Sequence, residues 1–403
     1  MARKNRLVVE DGLYHITARV AHRARLLQDP AFKAQIVDWI YGIADFSGVE
    51  VCAWNVMDNH LHIFVHVPPV PEKYWLDPPA TGTLPRPEGP AGTVPRTEGT
   101  APCASAFSMR PPENRAPRWT PDPDGPACVV TPAGECPSRE ALAAAIAEGL
   151  PAAHVPQAPT GFAMSDGEML GRLRSLYGPK SVDRIARRWA GTRAAGCGDA
   201  VEREKSAYCR RMYNVSQYMK TLKQRISQAY NRACGHEGQL WDGRFFSVLV
   251  DRDDSLARFF VTAYVELNSY RTKGRIAPKD WPWCSYAAAT GASWQGEGPL
   301  ARRAREGYER MFGVPWEEVV RRLESAFAAE MPADYDEKAP GAGRLKTMAQ
   351  LVKVTCRQFE RGGFVTRNRS FAVRTLAAFP SKFPSEGMRS VAFFASFRWG
   401  LAA

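Results

Sequence analysis

The chain has 403 residues, a formal net charge of +12 at pH 7 and a pI near 9.3. Its apolar content of 45% is ordinary for a globular protein, and it has no apolar run long enough to span a bilayer. The first residues are basic, but the apolar stretch of a secretory signal does not follow them. These features predict a cytoplasmic, nucleoid-associated protein, and the positive charge predicts a polyanionic partner.

The first 67 residues have the pattern of a small α/β unit. A strand is predicted for residues 12–19 and a helix for residues 30–46, where apolar residues recur at helical spacing after an Asp-Pro start signal. Residues 49–56 form the next predicted strand. The link at residues 57–59 is a short turn-forming sequence, which favours an antiparallel hairpin with the strand after it.

That following strand carries two histidines separated by one hydrophobic residue, His60 and His62. Alternate side chains of a strand share a face and each residue rises about 3.3 Å, so the two imidazoles lie on one face roughly 6.6 Å apart at the backbone. Two imidazoles placed in this way can reach one metal ion. The alternative is a half-exposed strand in which neither histidine is a ligand.

A proline-rich segment, residues 68–160, interrupts this pattern. Residues 68–159 hold 21 of the 31 prolines of the chain, and the sequence Gly-Thr-Leu-Pro-Arg-Pro-Glu-Gly recurs there as Gly-Thr-Val-Pro-Arg-Thr-Glu-Gly. Such a composition buries little apolar surface. We therefore predict a long disordered or extended insertion with one short helix near residues 138–148, and no catalytic role for it.

Regular structure is predicted again after this insertion. A capping-box-like sequence begins a basic helix at residues 165–177, and a stronger helix covers residues 215–232. A turn and a strand follow within residues 238–250, and the next helix runs from about residue 254 to 270. A Trp-Pro-Trp turn at residues 281–283 ends the predicted core.

Positive charge is concentrated in two segments. Residues 168–235 contain 15 Lys and Arg against 5 acidic residues, and residues 341–403 contain 11 against 2. Solvated helical faces are the ordinary explanation of such runs. Contacts with a phosphate backbone are the alternative.

Five short motifs, in this order, resemble those of the single-tyrosine HUH transposases, in which HUH denotes histidine, a hydrophobic residue and histidine. The motifs are Gly-Leu-Tyr-His-Ile, Asn-His-Leu-His, Gly-Gln-Leu-Trp-Asp-Gly-Arg-Phe, Ala-Tyr-Val-Glu-Leu-Asn and Asp-Trp-Pro-Trp-Cys-Ser-Tyr. The resemblance covers about residues 1–67 and 165–290. It is closest to the insertion-sequence-200-like group and to its relatives associated with repetitive extragenic palindromes (REP).

The resemblance implies an α/β (α+β) fold with a ferredoxin-like core, an antiparallel sheet and flanking helices. It also implies that His60, His62 and Asn268 bind Mg²⁺ or Mn²⁺ and that Tyr264 is the nucleophile. Residues four apart on a helix lie on one face about 5 to 6 Å apart, which agrees with a shared role for Tyr264 and Asn268. Spacing alone leaves Tyr213 open as an alternative nucleophile, because an amide residue also follows it by four positions.

The substrate implied by the resemblance is single-stranded DNA with a hairpin, cut through a 5′-phosphotyrosine intermediate by a metal-dependent transposase. A homodimer with active sites completed in trans is left open. Two aromatic residues, Trp241 and Phe245, stack a base or, as the more ordinary reading, fill the core. The side chains expected to contact DNA are Lys220, Lys223, Arg225 and Arg244.

Four positions depart from the family pattern, namely Asp58, Glu266 and the Ser-Tyr pair after Asn268. Glu266 is expected on a different helix face from Tyr264.

Two alternative functions remain: a domesticated relative that binds nucleic acid without cutting it, and another HUH endonuclease such as a replication initiator or relaxase. The predicted organisation is a first half of the core at 1–67, the insertion at 68–160, the second half at 161–290 and a basic, mainly helical C-terminal extension at 291–403.

Overall fold

The computed structural model describes residues 7–75, 162–235, 237–271 and 275–330, together with 364–365, 371 and 375. All of them fall in one compact unit. Its centre is a sheet with the strand order β2-β3-β1-β4-β5. The strands are β1 (Gly12–Arg19), β2 (Glu50–Val56), β3 (His60–Val67), β4 (Phe246–Val250) and β5 (Phe364–Val365).

Strands β1 to β4 form an antiparallel sheet, and β5 is parallel to β4. The predicted hairpin is confirmed, because β2 and β3 pair antiparallel across the turn and the amide of Met57 donates to the carbonyl of His60. Apolar residues of β3 alternate with the histidines and are fully buried, as Leu61 and Ile63 show. The sheet and its flanking helices confirm the predicted ferredoxin-like α/β core.

Nine helices surround this sheet in the described part of the chain. The first begins at a proline after Asp29, whose carboxylate accepts the amide of Phe32, and it ends at Gly48 in the left-handed conformation. The next begins with the predicted capping box, in which Ser165 and Glu168 exchange hydrogen bonds. The helices are α1 (Pro30–Ser47), α2 (Asp166–Arg174), α3 (Pro179–Ala194), α4 (Gly198–Cys209), α5 (Val215–Cys234), α6 (Ser255–Glu266), α7 (Ser285–Ala289), α8 (Pro299–Phe312) and α9 (Trp316–Glu330).

Helix α6 is shorter than predicted, since it ends at Glu266 rather than near residue 270. The reason lies on β2, where the buried Asn55 uses its side-chain amide to donate to the carbonyls of Val265 and Glu266 at 3.0 and 3.3 Å. These carbonyls are therefore occupied by a side chain at the helix end. Asn268 lies in the turn that follows, its amide 3.4 Å from the carbonyl of Val265.

Helices α7, α8 and α9 pack on the same core, although they follow the Trp-Pro-Trp turn. At Gly307 of α8, an added Cβ would come within 2.6 Å of the carbonyl oxygen of Val51, so α8 lies directly on β2. The predicted 68–160 insertion lies outside the described residues from residue 76 onward, as does most of the 331–403 part of the extension. None of the described helices has the length and apolar character needed to cross a bilayer.

Candidate active site

Both histidines of the β3 pair project from the same face of the sheet, as the alternation of a strand requires. Their ring centroids are 4.9 Å apart. His62 is buried, with 4% of its surface exposed, and His60 is half-buried. The register of the sheet sets Arg19 opposite His60 and Thr17 opposite His62, so these four side chains share one face.

The tautomer of His60 is fixed by the residue before it. Asn59 donates from its amide nitrogen to the carbonyl of Arg23, so its side-chain oxygen, 2.6 Å from Nδ1 of His60, can only accept a hydrogen bond. Nδ1 therefore carries the proton and Nε2 carries a lone pair. That Nε2 atom lies 3.2 Å from the side-chain oxygen of Asn268.

As placed, His60 Nε2 and the Asn268 oxygen are two acceptors that face each other, whereas the amide turned over would point its nitrogen at Nε2 as a donor. The amide nitrogen of Asn268 is buried and has no hydrogen-bond partner within the described residues. Adjacent ligands of one octahedral Mg²⁺ ion are also separated by about 3 Å, given metal–oxygen distances near 2.1 Å. The donor atoms present therefore fit a shared divalent cation.

His62 is held from the other side by β1. Its Nδ1 lies 3.0 Å from Nε2 of His15 and 3.3 Å from the hydroxyl of Thr17. His15 is almost fully buried, and its ring is nearly parallel to that of His62. A proton on Nδ1 of His62 would donate to one of these two acceptors and leave Nε2 with its lone pair.

Burial disfavours the charged form of all three imidazoles. Burial lowers the pKa of His60 to about 4, although its contact with Asn268 acts in the opposite direction. Burial lowers the pKa of His15 to about 3 and places that of His62 well below the ordinary value. Neutral imidazole is the form that ligates metal ions.

Tyr264 lies against this cluster. The edge of its ring faces His62 and His15, with a centroid distance of 5.5 Å in each case. The guanidinium of Arg271, an exposed residue in the turn after α6, lies 4.9 Å from the centre of the Tyr264 ring. Tyr264 is half-buried, unlike the residues before and after it.

Two other tyrosines that an amide or a thiol residue follows by four positions, Tyr213 and Tyr230, lie elsewhere. The hydroxyl of Tyr213 accepts a hydrogen bond from Arg172 at 2.8 Å, and its ring packs on Phe162. Tyr230 packs on the core beside Phe32. Of these three tyrosines, the geometry brings Tyr264 to the histidines.

Two of the four side chains predicted to contact DNA, Lys220 and Arg244, are exposed. Lys223 is half-buried, since its ammonium donates to the carbonyl of Gly243 at 2.6 Å and lies 5.4 Å from the centre of the Trp241 ring. It ties α5 to the turn before β4.

Arg225, which was expected to contact DNA from the outer face of its helix, does not point outward. It is half-buried, its guanidinium donates to the carbonyl of Leu176 and it lies 5.8 Å from the ring of Tyr177. The two aromatic residues weighed as stacking platforms, Trp241 and Phe245, have exposed fractions of 5% and 8%. They fill the core, which was the more ordinary reading.

The departures at Asp58 and Glu266 have structural roles. Asp58 binds Arg25 and the buried Lys33, whose ammonium also lies 4.3 Å from the ring of Trp281. This ion pair anchors the turn before His60 to α1.

Glu266 is fully buried on the opposite side of α6 from Tyr264, so the predicted difference in helix face is confirmed. Its carboxylate accepts hydrogen bonds from the hydroxyls of Ser285 and Tyr308 and from the amide of Tyr286. It joins α6 to α7 and α8 and is not a part of the histidine cluster.

Sequence patterns alone did not reveal the roles of His15, Thr17 and Arg271. His15 stands inside the Gly-Leu-Tyr-His-Ile motif, and the alternation of β1 places it on the same face as Thr17. The missing information was the pairing of β1 with β3, which brings His15 to His62. In the described ranges, no group of three or more His, Cys, Asp and Glu side chains is placed as a metal site.

The family model described as Transposase IS200 like matches residues 8–72. This segment carries the strand-helix-strand-strand half of the core with both histidines of β3, and it ends before Tyr264. Neither the curated proteins nor the solved structures gave a match. Residues 8–72 of the chain are therefore similar to the IS200-like transposases.

Proposed function

We propose that this protein cleaves and transfers single-stranded DNA in a reaction that depends on Mn²⁺ or Mg²⁺, with Tyr264 as the nucleophile. The observation that supports this most is the position of Tyr264, whose ring lies 5.5 Å from both His62 and His15. A tyrosine on an amphipathic helix ordinarily packs on apolar residues. The ring of Tyr264 packs on the core in this way, and it also lies nearly perpendicular to the imidazoles of His62 and His15.

The ligands in this proposal are Nε2 of His60, Nε2 of His62 and the side-chain oxygen of Asn268. Two neutral imidazoles and an amide oxygen suit Mn²⁺ better than Mg²⁺, although the abundance of magnesium in cells favours the latter. When bound, the ion would supply positive charge beside the scissile phosphate and so stabilise the charge that develops in the transition state.

The chain's own residues perform the transfer. A phenol is a weak nucleophile at neutral pH because its ordinary pKa is near 10, so its orientation matters. The Tyr264 hydroxyl attacks the scissile phosphorus, the Tyr Oη–P bond forms and the P–O3′ bond breaks. The phenol proton passes to solvent, and the departing 3′ oxygen takes up a proton.

The products are a 5′-phosphotyrosine and a free 3′-hydroxyl. Because the phosphodiester energy is kept in the phosphotyrosine bond, another 3′-hydroxyl can attack it and restore Tyr264 without ATP.

Basic side chains are proposed to contact the DNA. Arg271 lies over the Tyr264 ring, where its charge favours an approaching phosphate. Hairpin DNA is the substrate that we propose, with Lys220 and Arg244 as exposed phosphate contacts.

The test is a covalent adduct. The protein is incubated with a pool of single-stranded oligonucleotides that carry a hairpin flanked by randomised bases, with Mn²⁺, with Mg²⁺ or with EDTA. We expect a DNA–protein adduct on a denaturing gel with either metal and none with EDTA. Tyr264→Phe should abolish it, and Tyr213→Phe, the matched control, should retain it.

Two results would contradict the proposal. An adduct that persists in Tyr264→Phe but is lost in Tyr213→Phe would move the nucleophile. DNA binding without an adduct under either metal would instead support a relative that binds nucleic acid but does not cut it.

A further inference from the structure

Three large hydrophobic side chains stand exposed among the described residues, and one of them lies beside the candidate active site. This is Phe246, the first residue of β4, with 48% of its surface exposed. The others are Val8 and Trp75. A half-exposed phenylalanine is not unusual by itself, so its position is what matters.

The register of the sheet places Phe246 on the histidine face. Phe246 pairs directly with Thr17 of β1, and directly opposed residues of an antiparallel pair project to the same side. Thr17 in turn contacts Nδ1 of His62 at 3.3 Å. Phe245 is 8% exposed, so the side chain before Phe246 is turned into the core.

Two basic residues, Arg19 and Arg244, lie on the strand and the turn next to Phe246. Arg19 lies two residues beyond Thr17 on β1, opposite His60 and on the same face. The turn before β4 lies beside the end of β1, since the amide of Asp242 donates to the carbonyl of Arg19 at 2.8 Å. That turn carries the exposed Arg244 two residues before Phe246. An aromatic platform among cations is how proteins hold an unpaired nucleotide: the ring stacks on the base and the cations contact the phosphates.

We propose that Phe246 stacks on one unpaired base of the single-stranded DNA and that Arg19 contacts a neighbouring phosphate, which sets the register of the strand at Tyr264. This inference rests on the proposed function, because it names the part of that substrate held next to the histidines. Phe246 is a positioning residue in this scheme and touches no reacting atom. Stacking of one base contributes about a tenfold effect on affinity, within the range found when such aromatic residues are replaced by alanine.

The test compares the side chain with the base that it is proposed to contact. The protein carries Tyr264→Phe, so that binding is measured without cleavage. The probes are DNA hairpins with single-stranded dT tails, in which an abasic site is moved through the tail one position at a time. We expect one position at which loss of the base weakens binding about tenfold when Phe246 is present and has no effect in Phe246→Ala. Phe246→Trp should restore the sensitivity.

Trp75→Ala is the matched control, since Trp75 is equally exposed but is not a strand residue of the histidine face. It should leave the abasic profile unchanged. An identical abasic profile with Phe246 and with Phe246→Ala, or the same change in Trp75→Ala, overturns the inference. If either of these results is found and the wild-type protein still forms the tyrosine adduct, only the stacking role fails. If the protein neither binds these hairpins nor forms an adduct with any DNA, the proposed function fails with it.

Discussion

His15 and His62 lie in nearly parallel planes, with Nε2 of His15 3.0 Å from Nδ1 of His62. They come from neighbouring antiparallel strands and are 47 positions apart in the sequence. A partner on Nδ1 fixes the orientation of an imidazole and the nitrogen that is left to bind a metal. His15 is therefore placed to position His62 without being a ligand.

Replacement of His15 should weaken metal binding. We expect His15→Ala to lower the affinity for Mn²⁺ about 10- to 100-fold, as loss of a residue that orients a metal ligand commonly does. Calorimetric titration with Mn²⁺ measures this directly. His22→Ala, an exposed histidine outside the sheet, serves as the control. Equal Mn²⁺ affinity in His15→Ala and wild type would show that Thr17 alone suffices to hold His62.

Metal binding should also raise thermal stability, because an ion that binds the folded state alone stabilises it. At a Mn²⁺ concentration a hundred times the dissociation constant, the gain is about 2.7 kcal/mol. We expect a higher Tm with Mn²⁺ than with EDTA, and no such difference in His62→Ala. His66→Ala should keep the difference, since His66 lies on the same strand but binds Asp11 and Glu50. A Tm that Mn²⁺ leaves unchanged in wild type would contradict the ligand set.

The two cations that bind Asp58 should differ in their contribution to stability. Lys33 is 2% exposed at its side chain and Arg25 is 68% exposed. We expect Lys33→Met to reduce the free energy of unfolding by about 2 to 3 kcal/mol, less than the usual cost of breaking a buried ion pair because Arg25 still binds the carboxylate. Arg25→Met should cost less than about 1 kcal/mol. Urea unfolding followed by circular dichroism measures both, and equal losses would contradict the assigned roles.

Glu266 should make stability depend on pH. Burial raises the pKa of its carboxyl above the ordinary 4.5, against hydrogen bonds from Ser285 and Tyr308 that lower it. The carboxyl of Glu266 then holds its proton more tightly in the folded state than in the unfolded state. The stabilisation that this proton gives is complete below pH 4.5 and is lost as the pH rises through the folded pKa. Glu266→Gln has no such proton; its amide oxygen can accept from the amide of Tyr286, and its amide nitrogen then donates to the hydroxyl oxygens of Ser285 and Tyr308.

The unfolding free energies of Glu266→Gln and wild type are compared between pH 4.5 and pH 8. The free energy of unfolding of wild type should fall relative to that of Glu266→Gln as the pH rises. Glu306→Gln, an exposed position on α8, is the control and should show no such trend. A difference that stays constant or moves the other way would contradict the raised pKa.

Local patterns in the sequence were sufficient for the strands that carry the histidines. Alternation along β3, the turn at residues 57–59 and the Asp-Pro start of α1 each depend on neighbouring residues only. The same holds for the capping box of Ser165. These elements agree with the structure because their signals are short-range.

What the sequence could not reveal depends on contacts between distant residues. The end of α6 was placed too late because Asn55, on a strand 210 positions earlier, binds the carbonyl of Val265. The outward direction of Arg225 was wrong for a similar reason, since a carbonyl 49 positions earlier takes its guanidinium. The exposed aromatic on the active face was missed because only the pairing of Phe246 with Thr17 places it on the histidine face.

Tyr264 is proposed to form a covalent bond with DNA. The most direct measurement is mass spectrometry of the adduct, after nuclease has trimmed the DNA and protease has cut the protein. We predict one modified peptide, with a nucleotide joined through its 5′-phosphate to Tyr264. Modification at Tyr213 or at any residue other than Tyr264, or linkage through a 3′-phosphate, would contradict the account.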